Sequence, residues 1–306
     1  MKIIVAGGSG FIGKALIQNL LAQKHTVVLL TRSQKANQPP ARGAVHVAQW
    51  DGENLGKWTE QLEGADAVVN LSGESIAAKR WTAPQKRKIV ESRIRTTRAI
   101  VKAISQTKAK PKLLINASAI GFYGNVEQGD VTESHPKGKG FLAETCSQWE
   151  EEAIKAETAG IRVIRLRIGV VLEKGGGALA RMLPPFRFFM GGPLGSGKQW
   201  FPWIHREDLV GLIIFLVTHP SAAGAVNATA PNPVTMKELC QTLGNVMRRP
   251  SWAPVPAFVL KVLLGEMAEN MLLTGQKVVP AKATDLGFPF KYPVLRDALE
   301  DILKRP

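Results

Sequence analysis

The sequence predicts an α/β fold, in which a doubly wound parallel sheet carries helices on both faces and a small, mostly helical domain follows it. Short apolar segments alternate with helical patterns through the first two-thirds of the 306-residue chain, and this alternation is typical of a parallel sheet with crossover helices. A glycine-rich turn joins the first apolar segment to the first helical one. Toward the C terminus the alternation stops, and the pattern becomes helical with several prolines.

The strands of the sheet are predicted as short apolar runs, and apolar residues at helical spacing fill the intervals between them. The predicted strands are Ile3–Ala6, Thr26–Thr31, Val45–Gln49, Ala67–Leu71, Leu113–Ala117 and Arg162–Arg167. The predicted helices are Phe11–Gln23, Pro84–Ser105 and Phe141–Ala159. A further helix over Asp208–Thr218 and a strand near Ala225–Ala228 return to the same pattern.

The chain divides into two predicted domains. Residues 1–230 form the sheet domain, and residues 231–306 form the small C-terminal domain. Residues 174–204 are rich in glycine and proline and fit no regular strand–helix unit. We expect this stretch, called the excursion segment below, to reach from the sheet domain toward the second domain.

Cysteine content and apolar runs restrict the class of protein. Cys146 and Cys240 are far apart, and the five histidines are scattered, so we expect neither a disulfide scaffold nor a metal site. The longest apolar run, Leu209–Val217, is too short to cross a bilayer. The chain opens on a strand pattern without a signal peptide. We therefore expect a cytoplasmic protein with no transmembrane segment.

The net charge of +15 is concentrated between Lys79 and Lys112, where twelve Lys or Arg residues accompany a single acid. Thr82 and Gln85 predict a capping box at the start of the basic helix over residues 84–105. The simpler interpretation is a solvated helix face. The alternative is a surface for something anionic, such as a phosphate-bearing ligand, a membrane, a nucleic acid or an acidic partner, or a contact in a homodimer. No specific nucleic-acid binding is predicted, because no RNA- or DNA-binding module accompanies the charge.

The first turn has the spacing of a dinucleotide-binding loop. Gly7, Gly10 and Gly13 follow a strand and open a helix. The first glycine permits a tight turn, the second a close approach to a pyrophosphate, and the third close packing of helix on strand. The pattern predicts a Rossmann-type site at Gly7, Gly8, Ser9, Gly10, Phe11, Ile12 and Gly13.

The end of the second strand distinguishes the two nicotinamide cofactors. An NAD site carries an acid there for the ribose 2′-hydroxyl, whereas an NADP site carries a cation for the 2′-phosphate. Here the strand ends on Thr31, Arg32 and Ser33 without an acid, which predicts NADP(H) as the cofactor. The alternative is that Arg32 is an ordinary loop arginine exposed to solvent.

Two later strand ends are predicted to border the same cleft. Trp50 and Asp51 follow the third strand and are expected to meet the adenine. A stretch of small residues follows the fourth strand, and Arg93 on the basic helix is a further candidate; these cofactor-binding candidates are Leu71, Ser72, Gly73, Glu74 and Arg93. The alternative for both strand ends is ordinary turn chemistry.

These segments together resemble an extended short-chain dehydrogenase/reductase. The shared segments are the glycine motif, Asn70–Glu74, Ser118–Gly124 and Trp203–Leu209. More narrowly, the chain resembles the atypical NAD-dependent epimerase/dehydratase-like proteins that carry a C-terminal domain of unknown function. Segments typical of that subgroup are Lys79–Trp81, Ser92–Ile94, Gly191–Gly197, Gly275–Pro280 and Gly287–Pro293.

The resemblance implies a Rossmann fold with a preference for NADP(H), in agreement with the interpretation of Arg32. It implies no known reaction, because the subgroup is poorly characterised. Plant relatives have been linked to plastid division, and bacterial ones carry an old cell-division label.

The catalytic residues that the resemblance implies are missing. The typical relative uses a Tyr-x-x-x-Lys pair, in which the lysine lowers the tyrosine pKa so that the phenol can move a proton, with a serine or threonine nearby. Here the tyrosine position falls on Phe141 or Leu142, and the lysine position falls on Thr145 or Cys146. The hydroxyl position falls on Ser118, with Ala119 as the alternative register.

Two explanations follow. In the first, the protein is an enzyme that reduces or epimerises a small carbonyl or hydroxyl compound, with Tyr123 as a reassigned acid and Ser118 as its orienting hydroxyl. Arg93, Lys79 and Glu144 are possible helpers, and the alternative for Tyr123 is a packed aromatic below the strand end. In the second, the protein is a catalytically inactive NADPH-dependent regulator or scaffold, linked to cell or plastid division.

Overall fold

The computed structural model describes residues 1–32 and 45–304. Its strands are, in chain order, β1 (Lys2–Ala6), β2 (Thr26–Thr31), β3 (Val45–Gln49), β4 (Ala67–Asn70), β5 (Leu113–Ala119), β6 (Asp130–Val131), β7 (Arg162–Ile168), β8 (Val170–Glu173), β9 (Trp200–Phe201), β10 (Trp203–His205), β11 (Gly224–Ala228), β12 (Val234–Thr235) and β13 (Lys277–Val278). Its helices are α1 (Phe11–Ala22), α2 (Ala83–Gln106), α3 (Phe141–Ile154), α4 (Gly177–Arg187), α5 (Arg206–Thr218), α6 (Met236–Met247), α7 (Ala257–Leu264), α8 (Glu266–Met271), α9 (Ala281–Asp285) and α10 (Leu295–Lys304).

The central sheet confirms the predicted architecture. Its seven described strands are all parallel and lie in the order β11-β7-β5-β4-β1-β2-β3. The chain first adds strands to one side of β1 and then crosses to the other side at β4. The C-terminal ends of β1 and β4 therefore lie at the switch point where open α/β sheets form their ligand crevices.

The two faces of the sheet are built by alternating residues of each strand. In β1, Ile3 and Val5 pack into the core that α1 and α5 cover. Ile4 and Ala6 point the other way, into the core that α2 covers. All four side chains are fully buried, which explains why the central strands are apolar throughout rather than alternating with polar residues.

The element bounds differ from the predicted ones in small ways. β4 ends at Asn70, one residue early, and β5 continues to Ala119. The predicted capping box of α2 is only half formed. The Thr82 hydroxyl accepts a hydrogen bond from the Gln85 amide at 3.3 Å, but the Gln85 side chain points into the interior, where its Nε2 has no hydrogen-bond partner among the described residues.

A third apolar core joins the excursion segment to the C-terminal part of the chain. Leu179, Leu183 and Phe186 of α4 are buried against residues of α6 and α10, including Leu243 and Leu299. The small pair of β6 and β13 adds a parallel bridge between the loop after β5 and the C-terminal part. The division near residue 230 stays a prediction.

The cations of α2 are largely satisfied within the chain. Lys86 pairs with Glu266, Lys88 with Glu74 and Arg98 with Glu152. Arg95 lies 3.1 Å from Glu53 and 3.3 Å from Glu91. These ion pairs balance much of the positive charge of the basic helix without an external ligand. An acidic partner and a homodimer stay predictions. Among residues 1–32 and 45–304, no helix combines the length and the apolarity that a membrane crossing requires.

Candidate functional site

The glycine turn after β1 is crowded by backbone from the end of β4. Gly7 has a φ of +78°, and a Cβ there would lie 2.7 Å from the carbonyl carbon of Leu71 and 2.8 Å from the amide nitrogen of Ser72. Both the left-handed conformation and the lack of space exclude a side chain. The ends of β1 and β4 therefore lie directly against each other, and both carry predicted cofactor-binding residues.

The start of α1 is equally close to this turn. A Cβ on Gly13 would lie 2.5 Å from the Gly7 carbonyl oxygen, and the Gly10 amide donates to the same oxygen at 3.0 Å. Gly10 is the N-cap, and within the described residues no side chain caps the helix and no acid occupies its first turn. The N–H groups and the positive end of the helix dipole are thus available to an anion.

The remaining residues of the turn separate into solvent-facing and packed positions. Ser9 is exposed, Gly8 is buried, and Ile12 packs against the core. The Phe11 ring lies against the excursion segment, because a Cβ on Gly176 would approach Phe11 Cδ2 to 2.7 Å. The guanidinium of Arg206 lies 5.5 Å from the centre of the same ring. Phe11, at the start of α1, therefore packs against both the excursion segment and the first residue of α5.

A groove of about 440 Å³ lies at the ends of β2 and β3. Two of its lining residues, Arg32 and Lys57, are exposed cations. The full lining is Arg32, Gln49, Trp50, Asp51, Asn54, Leu55, Gly56, Lys57 and Trp58. Thr31 ends β2 beneath it, and its carbonyl accepts from the Trp50 amide at 3.1 Å. Ser33 lies outside the described residues.

Asp51 shapes this groove through its own turn. One carboxylate oxygen accepts from the amides of Glu53 and Asn54 at 2.8 Å, and the other accepts from Asn54 Nδ2 at 2.7 Å. The Asn54 side chain and these backbone donors lower the pKa of Asp51 to about 2. With both oxygens engaged, Asp51 is a structural anion of the loop. Its neighbour in the chain, Trp50, packs edge-on against Trp58 with ring centres 5.3 Å apart.

Asn54, Lys57 and Trp58 also line the groove but are not predicted from the sequence. The run Asp51-Gly52-Glu53-Asn54 is a turn pattern that predicts a loop. Nothing in the local sequence indicates that this loop folds back beside Arg32. The groove contains two cations, Arg32 and Lys57, whereas the end of β2 alone predicts only Arg32.

The end of β4 is braced by Arg93. The Arg93 guanidinium donates through Nη1 to the carbonyls of Glu74 and Ile89 at 3.0 and 2.9 Å. It lies 5.0 Å from the Trp149 ring, and a Cβ on Gly73 would come within 3.2 Å of its Cζ. The cation of Arg93 is therefore held beside the segment that includes Gly73 and Glu74.

A buried polar network fixes the strand ends below this segment. Asn70 donates to Asn116 at 2.7 Å and to the Thr97 hydroxyl at 3.1 Å, and the Trp149 indole donates to the same hydroxyl at 2.9 Å. The Asn70 Oδ1 accepts from the Ser72 amide at 3.1 Å. The network ties β4 and β5 to α2 and α3, so it sets the path of the backbone from Leu71 onward.

Ser118 is part of a buried ionic network. Its hydroxyl donates to Glu150 at 2.7 Å. Glu150 also accepts two hydrogen bonds from Arg167, at 2.8 and 2.9 Å. All three residues are at most 3% exposed, so the carboxylate is paired by charge and hydrogen bonding as a buried ion requires.

Tyr123 belongs to the same network. It is 1% exposed, its hydroxyl donates to Asn227 at 2.6 Å, and the same oxygen accepts from Arg167 at 2.9 Å. Burial raises the pKa of Tyr123, and the attraction of Arg167 offsets only part of that effect. The structure brings Ser118 and Tyr123 together, but in the interior. This geometry favours a packed aromatic over a substrate-facing acid, because both hydrogen-bonding roles of the phenol are filled by the protein.

The positions of the missing Tyr-x-x-x-Lys pair are apolar or neutral. Phe141 and Leu142 lie in a cluster between the sheet domain and the C-terminal helices α7 and α8. Its other members are Ile76, Trp81, Ile89, Leu264, Met267 and Met271. Thr145 donates to the Phe141 carbonyl at 2.7 Å, and burial raises the pKa of Cys146 to about 11.

The other proposed helpers differ in their position. Glu144 is exposed and pairs with Lys137 at 2.8 Å, and Lys79 is also exposed. Arg93, by contrast, lies close enough to Cys146 for its charge to favour the thiolate, which lowers the pKa of Cys146 against the larger effect of burial. Of the three proposed helpers, Arg93 is therefore the one whose positive charge acts at a position expected for the lysine.

Comparisons with known proteins agree with this architecture. Residues 3–228 match the profile of the NAD dependent epimerase/dehydratase family, and residues 255–302 match a domain of unknown function, DUF1731. The chloroplastic "Epimerase family protein SDR39U1 homolog" of Arabidopsis thaliana is 49% identical over 99% of this chain and 87% of its own length. "Epimerase family protein YfhF" of Bacillus subtilis is 40% identical over 99% of this chain and 98% of its own.

Solved structures show the same fold. The crystal structure of human epimerase family protein SDR39U1 (isoform 2) with NADPH has a TM-score of 0.89 at 34% identity, and the match covers 100% of both chains. A UDP-glucuronic acid 4-epimerase from Bacillus cereus in complex with NAD has a TM-score of 0.76 at 18% identity, covering 99% of this chain and 95% of that one. At that identity the likeness concerns the fold alone.

Proposed function

This chain belongs to the NAD dependent epimerase/dehydratase family, and on that premise we propose that it binds NADP(H) and reduces or epimerises a small carbonyl or hydroxyl compound with a non-standard active site. The observation that carries the proposal is the pair of cations, Arg32 and Lys57, in the groove at the ends of β2 and β3. A 2′-phosphate is the part of NADP(H) that needs cations at this point of the fold.

The residues fit the rest of a dinucleotide. The bare N terminus of α1 supplies N–H donors for a pyrophosphate. Gly7 and Gly13 allow the turn to pack closely against β4 and α1, since a Cβ at either position would clash with backbone. The structure of human SDR39U1 with NADPH supports the same choice of cofactor. When bound, NADPH supplies a hydride.

Arg93 takes over the positive charge that the family's lysine provides. It projects from α2 rather than α3, and its anchoring by the Glu74 and Ile89 carbonyls keeps the guanidinium in place. A fixed cation beside the strand end stabilises negative charge that develops on a substrate oxygen. We assign Tyr123 and Ser118 the supporting role of fixing β5 and β7 beneath the site.

The test of the cofactor is a calorimetric titration of the wild-type protein with NADPH and with NADH. Arg32→Glu replaces a phosphate-binding cation with an acid, so NADPH affinity falls by roughly 10- to 100-fold, the range for losing a charged hydrogen bond. NADH affinity changes little. Arg87→Glu, an equally exposed arginine on α2, serves as the matched control and leaves both affinities unchanged. Equal affinity of the wild type for NADPH and NADH contradicts the proposal.

A second function is favoured by the apolar cluster around Phe141 and Leu142. A catalytically inactive NADPH-dependent regulator needs no acid at those positions, and none of the cluster residues can donate a proton from its side chain to a substrate carbonyl. Two assays separate the two functions. NADPH oxidation with a panel of aldehydes and ketones detects a reductase, and NMR of nucleotide sugars incubated with the protein and its cofactor detects an epimerase, because epimerisation regenerates the cofactor. Turnover that falls about 100-fold in Arg93→Met but less in Arg93→Lys supports the enzymatic function. Tight NADPH binding without turnover of any compound supports the regulator.

A further inference from the structure

An exposed aromatic patch lies at the end of α4 and is formed by residues that take no part in the candidate site. Four large apolar side chains are unusually exposed: Phe188 by 77%, Phe189 by 53%, Met190 by 55% and Trp252 by 64%. The chain has an ample core that buries most of its large apolar residues. A contiguous apolar surface on such a protein indicates an interaction site.

The patch is held in place by a defined local structure. After Pro184 and Pro185 the helix ends in a tight turn, closed by the Met190 amide donating to the Pro185 carbonyl at 2.9 Å. Phe189 sits at a φ of +62°, a conformation that is costly for an aromatic residue and persists only where the surroundings impose it. The Trp252 indole donates to the Phe189 carbonyl at 3.0 Å and joins the two chain segments.

The charges that flank the patch in the sequence all have one sign. Arg187, Arg248 and Arg249 flank the aromatic residues in sequence, and the Arg249 guanidinium lies 4.4 Å from the Phe189 ring centre. No acidic residue occurs from Lys174 to Arg206 or from Leu239 to Gly265. Within the described part of the chain, none of these three arginines forms an ion pair with a carboxylate, in contrast to the paired cations of α2.

These features select among possible occupants. A second copy of the chain on a two-fold axis would bring the same arginines against each other, and like charges across an interface are unfavourable. An anionic bilayer instead accepts all three parts of the patch: apolar side chains enter the acyl boundary, tryptophan lies at the headgroup level, and arginine pairs with lipid phosphates. We propose that the surface formed by Phe188, Phe189, Met190, Trp252 and the three flanking arginines docks the protein reversibly on anionic phospholipid membranes.

The test is sedimentation of the full chain with vesicles of phosphatidylcholine, either pure or with roughly one-third phosphatidylglycerol, a content that gives the surface a negative potential. The protein sediments with the anionic vesicles only, and raising the salt concentration weakens binding. Phe188→Ser combined with Met190→Ser weakens binding at least about tenfold, because two apolar anchors are lost. Thermal melting confirms that this variant is folded, as expected for exposed positions.

The matched control is Val262→Ser combined with Leu263→Ser on α7, which are also exposed, by 71% and 61%. This variant binds anionic vesicles as the wild type does. Equal binding to pure phosphatidylcholine, or equal loss in the control variant, overturns the proposal. A shift from dimer to monomer in the Phe188 variant on gel filtration, without any vesicle binding, also overturns it and assigns the patch to a second copy of the chain.

Discussion

The glycine turn and the position of the missing Tyr-x-x-x-Lys pair lie in one fold but are built in opposite ways. At the turn, Gly7 and Gly13 carry no side chains, because a Cβ at either position would clash with neighbouring backbone. The helix α1 also starts without a side-chain cap. At the other region, Phe141 and Leu142 pack into an apolar cluster, and Cys146 is buried and neutral. The first region is shaped for an anionic ligand, whereas the second is closed by the protein's own side chains.

The difference shows how a binding function and a catalytic function depend on different features of one fold. Dinucleotide binding relies on backbone geometry that three glycines impose locally. Proton transfer relies on one or two side chains on a helix, and these have been replaced here without disturbing the sheet. Changing each region separately tests this contrast.

Placing a lysine at Cys146, one of the two positions that match the family's lysine, should have the largest effect. Cys146→Lys places a second cation beside Arg93 in a fully buried position, so we expect the free energy of unfolding to fall by about 3–5 kcal/mol, the range for an unpaired buried charge. Cys146→Ala removes only a small apolar group and should cost about 1 kcal/mol. Urea unfolding measures both. A Cys146→Lys protein as stable as the wild type would mean that this region is open rather than sealed.

Crowding at the glycine turn should have the next largest effect. Gly7 and Gly160 share a φ of +78°, but a Cβ on Gly7 meets backbone at 2.7 Å whereas a Cβ on Gly160 meets nothing within 4 Å. Gly160→Ala therefore costs about 1 kcal/mol of backbone strain, and Gly7→Ala costs roughly 2 kcal/mol more for the steric clash. Only Gly7→Ala should abolish NADPH binding in a calorimetric titration. Equal losses of stability in the two variants would show that the turn can relax.

These predictions concern features that the sequence reveals to different degrees. The glycine spacing, the strands and the cation at Arg32 are local, so the sequence predicts both the sheet and the start of the cofactor site. Lys57 was missed because its loop returns to Arg32 only in three dimensions. The role of Tyr123 depends on Asn227, which is 104 residues away in the chain, and no local pattern indicates that contact. The Phe188–Met190 turn was likewise hidden inside a segment that reads only as rich in glycine and proline.

Removing the Tyr123 hydroxyl should have the smallest effect. Tyr123→Phe leaves Asn227 and Arg167 each without one partner in the interior, which costs about 1–3 kcal/mol of stability. NADPH affinity and any turnover should stay the same, because the phenol faces the network rather than a ligand. Denaturant unfolding and a parallel activity measurement provide the two readouts. A loss of turnover above about tenfold with unchanged stability would return Tyr123 to the role of catalytic acid.

Hydrogen–deuterium exchange with and without NADPH tests the contrast between the two regions most directly. We expect NADPH to slow exchange in peptides covering Gly7–Gly13, because the uncapped first turn of α1 has amides available to a ligand. Peptides covering Ile120–Tyr123 and Phe141–Cys146 should be equally protected in both states, because their side chains are already packed against the protein. NADPH-dependent protection confined to the Tyr123 peptide, with none in the glycine turn, would contradict this contrast.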